Sequence, residues 1–132
     1  GLANIVTLLV LVLYGPKEAL FVLIVRILLG SMFGGQMISF FYSLSGGILC
    51  WLIMSLISVL LKKKFLALIS MCGAAAHNIG QILAAIVITH SISVVAYLPV
   101  LMFSAMITGC FTGLVAQGCA KRLQKILKTY FE

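Results

Sequence analysis

Residues 39–61 read SFFYSLSGGILCWLIMSLISVLL and end directly on Lys62-Lys63-Lys64. The run holds no charged side chain, and it exceeds the roughly 20 residues that a helix needs to cross a hydrocarbon core of about 30 Å. It lacks the strict alternation of a barrel strand. As a helix it crosses a membrane and delivers a lysine cluster to one face.

The pattern repeats outward from there. Upstream, Leu2 to Tyr14 is a shorter apolar run closed by Gly15-Pro16, since proline cannot extend a helix but suits the first turn of the next. It has no basic start and is not a signal peptide. A second run, from about Pro16 to Gly34, is broken by Gly34-Gly35-Gln36. Downstream, the fourth run extends from about Phe65 to Thr89, and the fifth from about Ser93 to Cys119 before a basic tail. The 132 residues are 64% hydrophobic and 8% charged, with mean hydropathy +1.29, which excludes a soluble globular domain. The expected architecture is all-α: a polytopic membrane helix bundle forming one integral membrane domain over residues 1–132, with five spans. Short loops make successive helices antiparallel neighbours. Because the chain opens on Gly1, a further helix is expected upstream.

Charge sets the orientation. Lys17, Lys62 to Lys64, and the group Lys121, Arg122, Lys125 and Lys128 fall on one side if every run crosses once. The loops around Gln36 to Ser39 and His90 to Ser93 hold no Lys or Arg. The positive-inside rule therefore places the basic loops and the C-terminus in the cytoplasm of a cell-membrane protein. Gly1 starts outside, as it does if an upstream helix begins inside and brings the total to six. The same rule accounts for the net charge of +7 without a nucleic-acid partner. The acids, Glu18 and Glu132, lie at opposite ends and build no carboxylate cluster. Cys50, Cys72, Cys110 and Cys119 show no C-x-x-C spacing and read as small apolar residues. No metal or cofactor is expected.

Function is then read from the polar side chains at depth. Arg26 stands in mid-span two with no acid in the spans to pair with, although a charge there costs about 2.5–3.5 kcal/mol even on insertion scales. It either binds an anionic ligand through its planar fork or is held by backbone carbonyls, water or the expected upstream helix. His77, Asn78 and Gln81 lie in span four, and the four-residue spacing puts His77 and Gln81 on one face. His77 is near the depth of Arg26, so a polar pocket between spans two and four is expected, with helix-to-helix hydrogen bonding as the plainer use. Asn4 and Thr7 read as the outer end of span one, and Tyr97 and Pro99 as the opening of span five on that side. Tyr97 is a ligand contact or an interfacial anchor. Pro99 can free a carbonyl one turn earlier. The ligand-binding candidates are thus Arg26, His77, Asn78, Gln81, Asn4 and Tyr97.

Small residues recur at four-residue spacing in Gly30 and Gly34, in Ala76, Gly80 and Ala84, and in Ala105, Gly109 and Gly113. Such rows let backbones approach closely, within the bundle or against a partner. The tail carries Leu123, Ile126, Leu127 and Tyr130 as an apolar stripe opposite Lys121, Lys125 and Lys128, and reads as the cytoplasmic end of span five lying on anionic lipid.

Several stretches resemble a known family: Gly1-Leu2-Ala3-Asn4-Ile5-Val6-Thr7, Lys17-Glu18-Ala19-Leu20 with Arg26-Ile27-Leu28-Leu29-Gly30-Ser31, Ser45-Gly46-Gly47, Ala76-His77-Asn78-Ile79-Gly80-Gln81, Tyr97-Leu98-Pro99, and Thr108-Gly109 with Thr112-Gly113. The chain is similar to the Gx transporter family, also called heptaprenyl diphosphate synthase component I, over nearly its whole length. That family resembles the S-components of energy-coupling-factor transporters, six-helix membrane proteins with a ligand site near the outer side. The resemblance implies a substrate-binding membrane subunit working with a coupling subunit and separate ATPases. Its substrate would be a small or lipid-like molecule, and Arg26 admits an anionic one. The family's other name implies a non-catalytic accessory to a prenyltransferase catalytic subunit in isoprenoid or menaquinone synthesis. The chain has no Asp for the magnesium-holding motifs of such a synthase and no P-loop for ATP hydrolysis, so it is not expected to be an enzyme. A third reading is a structural subunit whose polar residues only staple helices.

Overall fold

Turn chemistry sets the helix boundaries. Gly15 takes φ 130° ahead of Pro16, Gly35 takes the left-handed φ 67° and donates its N–H to Ser31 O at 3.0 Å, and His90 takes φ 53°. Between these breaks the computed structural model, which describes residues 4–61 and 65–131, is helical, with no strand among the described residues. The helices are α1 (Asn4–Leu13), α2 (Pro16–Gly34), α3 (Met37–Leu60), α4 (Leu66–Thr89) and α5 (Leu98–Phe131). A 3-10 turn, Ile92–Tyr97, leads into α5. Lys62 to Lys64, the residues before Asn4, Glu132 and the Tyr130 side chain of the tail stripe lie outside the described residues.

Three helical stretches are long and apolar enough to cross a membrane: Met37–Leu60, Leu66–Thr89 and Ile92–Thr129. The chain is therefore a membrane helix bundle. The described α1 is 10 residues, and α2 is 19 residues carrying Lys17, Glu18 and Arg26. One boundary differs from the sequence reading. The fifth span begins as a 3-10 turn, with Pro99 in the first turn of α5, so no carbonyl is freed within a helix. The tail belongs to the same helix as the fifth span, since α5 runs through it to a total of 34 residues, or about 50 Å. No proline follows Pro99 to stop it.

The helices pack in a ring, each on its sequence neighbours, with α1 closing onto α5. The core joins Leu8, Leu11 and Val12 of α1 to Ala19, Cys50, Met54, Leu66, Ile69, Ala116 and Ala120. It lies in the half of the bundle next to the Gly15 turn and the start of α4. Two of the small-residue rows are seams of the ring. A Cβ on Gly80 would stand 2.8 Å from both Gly46 Cα and Ser45 O of α3. A Cβ on Gly109 would stand 2.7 Å from Met71 Cα, and one on Gly113 would collide with Ala67 Cα of α4. Hydrogen bonds staple the same seams: Ser45 Oγ donates to Gly80 O at 2.8 Å, and the Ser70 and Thr112 hydroxyls meet at 2.7 Å. Trp51 Nε1 donates to Pro16 O at 2.8 Å, tying α3 to the start of α2. The third row is different: a Cβ on Gly30 or on Gly34 would have nothing within 4 Å.

Candidate anion site

Helix α2 buries Ala19, Leu23 and Ile27, a row at four-residue spacing, and Gly47 of α3 packs against Leu23 and Ile27. Beside that row stand Arg26 and, one turn on, Gly30, so both turn the same way as Ile27 and Ser31. These four residues form one wall of a cavity of about 270 Å³. Ser39, Phe40 and Ser43 of α3 form the other wall, and His77 of α4 reaches in. Gly46 makes that reach possible. A Cβ there would stand 3.0 Å from His77 Cε1 and 2.8 Å from His77 O.

At about 1.5 Å per residue, Arg26 stands roughly 15 Å above Pro16, and His77 roughly 16 Å above Leu66. The two helices start at the same end of the bundle, so both side chains sit near mid-depth. Ser31 and Ser39 lie near the opposite end, beside the α2–α3 turn. The cavity therefore runs from that turn down to a floor made by Arg26 and His77.

Arg26 Nε and His77 Nδ1 are both buried without a hydrogen-bond partner. A buried polar group left so costs about 1–3 kcal/mol, and more if charged. Glu18, the acid among the described residues, is in the first turn of α2, about 12 Å of helix below Arg26. A guanidinium with an open N–H, an imidazole with an open nitrogen and serine hydroxyls lining one cavity can together hold an anion. Ser31 Oγ already donates to Leu28 O at 2.9 Å, so it offers lone pairs rather than its proton.

The structure brings two of the six candidates, Arg26 and His77, to this cavity and places the others elsewhere. Asn78 Nδ2 donates to Leu101 O at 2.8 Å and staples α4 to α5. Gln81 follows His77 on the same face but lies on the α3–α4 seam, where its Cγ would be 3.0 Å from a Gly46 Cβ. Asn4 is buried in α1 with Thr7, whose Oγ1 also lacks a partner. Tyr97 is 68% exposed on the 3-10 turn, which suits an interfacial aromatic. The cavity has both Arg26 of α2 and His77 of α4 in its lining, and α3, which stands between those helices in the ring, supplies Ser39, Phe40 and Ser43. Ser43 joins the site without having been a candidate. It lies one turn from Ser39, and only that spacing could have marked it in the sequence.

No curated protein and no solved structure matches the chain. Residues 1–119 match the family model described as heptaprenyl diphosphate synthase component I. The match covers α1 to α4 and most of α5, including both residues at the cavity floor. The chain belongs to the heptaprenyl diphosphate synthase component I family.

Proposed function

We propose that the chain is the substrate-binding membrane subunit of a small-molecule transporter, and that it takes an anionic ligand from the outer side of the cell membrane. The observation that carries this reading is the pair of unpartnered buried nitrogens, Arg26 Nε and His77 Nδ1, on the floor of one cavity. An anionic group there would accept from the guanidinium in a charge-assisted bond, the strong kind. The cavity mouth lies at the α2–α3 turn, opposite the basic end of the bundle, so with the basic loops cytoplasmic it faces outward. Energy for release would come from a coupling subunit and ATPases on other chains.

The family's description favours a second reading, in which the chain is a non-catalytic membrane accessory to a prenyltransferase catalytic subunit. In that reading the same cavity would hold part of a lipid-like substrate or product.

Side-specific labelling tests the first reading. In a variant lacking Cys50, Cys72, Cys110 and Cys119, Ser39→Cys and Ser43→Cys are expected to react with a membrane-impermeant maleimide added outside intact cells. Lys121→Cys is expected to react only after the membrane is opened. Reaction of Ser39→Cys and Ser43→Cys only from the inner side would contradict an outward-facing cavity.

A further inference from the structure

We infer that the ligand is an amphiphile, with a monoanionic head of carboxylate size at Arg26 and an apolar chain that leaves sideways between the outer halves of α2 and α3. The inference rests on reading the Arg26 cavity as a binding site and adds the class of ligand. From Leu28 to Ser45 no side chain is buried. The buried positions of α2 (Ala19, Leu23, Ile27) and of α3 (Gly46, Gly47, Cys50, Met54, Ser58) all lie in the other half. The two helices are thus zipped together below and unzipped above, and Gly30 and Gly34 look into open space.

A second cavity of about 430 Å³ lies against this open part. It shares Ser31 and Phe40 with the Arg26 cavity and is otherwise lined by Leu28, Met32 and Met37, with Gly35 and Gln36 at its end by the turn. The two cavities are two sides of one gap. The inner side offers a guanidinium and an imidazole, and the outer side offers apolar, flexible methionines that adapt to a chain. Met32 and Met37 are each 77% exposed on the outside of the bundle beside the α2–α3 turn, where an amphiphile arriving from the membrane would meet them. The continuity of the polar floor with the apolar exit is what selects an amphiphile over a compact hydrophilic anion.

Charge selects the head. The floor holds one guanidinium, which a single negative charge neutralises. A diphosphate carries more charge and is ordinarily held through magnesium on carboxylates. Among the described residues no group of His, Cys, Asp and Glu could hold a metal ion.

The test compares dodecanoate, butyrate, dodecanol and farnesyl diphosphate as probes, with affinities for the purified protein in nonionic detergent read by native mass spectrometry. Dodecanoate is expected to bind at least about tenfold more tightly than each of the other three, since the alcohol lacks the charge, butyrate lacks the chain and the diphosphate carries too much charge. In the double variant Met32→Gln, Met37→Gln the ratio of dodecanoate to butyrate affinity is expected to fall close to one. A retained ratio would overturn the chain's path. Tighter binding of farnesyl diphosphate would overturn the monoanionic head. Equal binding of butyrate and dodecanoate, both weakened in Arg26→Gln and in part in Arg26→Lys, would overturn the amphiphile and leave the anion site standing. Binding of the anions no tighter than dodecanol, and unchanged in both Arg26 variants, would remove the anion site and this inference together.

Discussion

Arg26→Gln is expected to weaken binding of a carboxylate probe roughly hundredfold while leaving the bundle folded. The guanidinium supplies the full charge on the cavity floor, and its Nε–H has no partner within the protein. Hydrogen bonds to charged groups contribute about 1.5–3 kcal/mol each, equivalent to roughly ten- to hundredfold in affinity. Arg26→Lys keeps the charge and loses the planar fork, so a smaller loss of about tenfold is expected. The competing role, in which Arg26 only braces the helices, gives the opposite pattern: a lowered melting temperature in Arg26→Gln with affinity unchanged in the protein that survives. Measuring both quantities on both variants separates the two.

The second large effect falls on the seams. Gly80→Ala and Gly113→Ala are each expected to lower the melting temperature markedly, corresponding to about 1–3 kcal/mol of overpacking. At Gly80 the new methyl meets Gly46 Cα and Ser45 O at 2.8 Å, and at Gly113 it meets Ala67 Cα and, at 2.9 Å, Leu66 O. All of these are backbone atoms, so no side chain can swing aside, and whole helices must move apart. Gly118→Ala supplies the contrast. It has nothing within 4 Å of its new methyl, and alanine is the better helix former by about 1 kcal/mol. An unchanged or raised melting temperature is expected there. Equal loss in all three variants would mean that close helix approach is not what the Gly80 and Gly113 positions secure.

Much of this fold is legible in the sequence because its breaks are chemical. Gly15-Pro16 ends one run and Gly34-Gly35-Gln36 the next, where Gly35 takes the left-handed conformation, and apolar runs without the alternation of barrel strands leave the helix as the structure that spans a membrane. The path of the tail is not legible in the same way. Leu123, Ile126 and Leu127 opposite Lys121, Lys125 and Lys128 give the same stripe whether the helix lies on a membrane or simply continues α5. Periodicity reports a face, not the direction of the helix axis.

The site is legible in part for a similar reason. Arg26 and His77 stand out because charge and imidazole are costly in an apolar run. Asn78 stands beside His77 in sequence but about 100° around the helix, and that rotation takes its amide to Leu101 O of α5. Spacing tells which residues share a face, but which neighbour that face meets depends on the ring, where α3 stands between α2 and α4. Serine carries still less information. Ser43 lines the cavity, Ser45 donates to Gly80 O, and Ser58 donates to Ser55 O within its own helix. In the sequence these are the same residue in the same kind of run.

The most direct measurement is native mass spectrometry of the protein purified gently from its own membranes, wild type beside Arg26→Gln, with small molecules released and identified. The expected result is a bound anionic molecule on the wild type that is lost or strongly reduced on the variant. An identical set of bound molecules on the two proteins would contradict an anion site at Arg26.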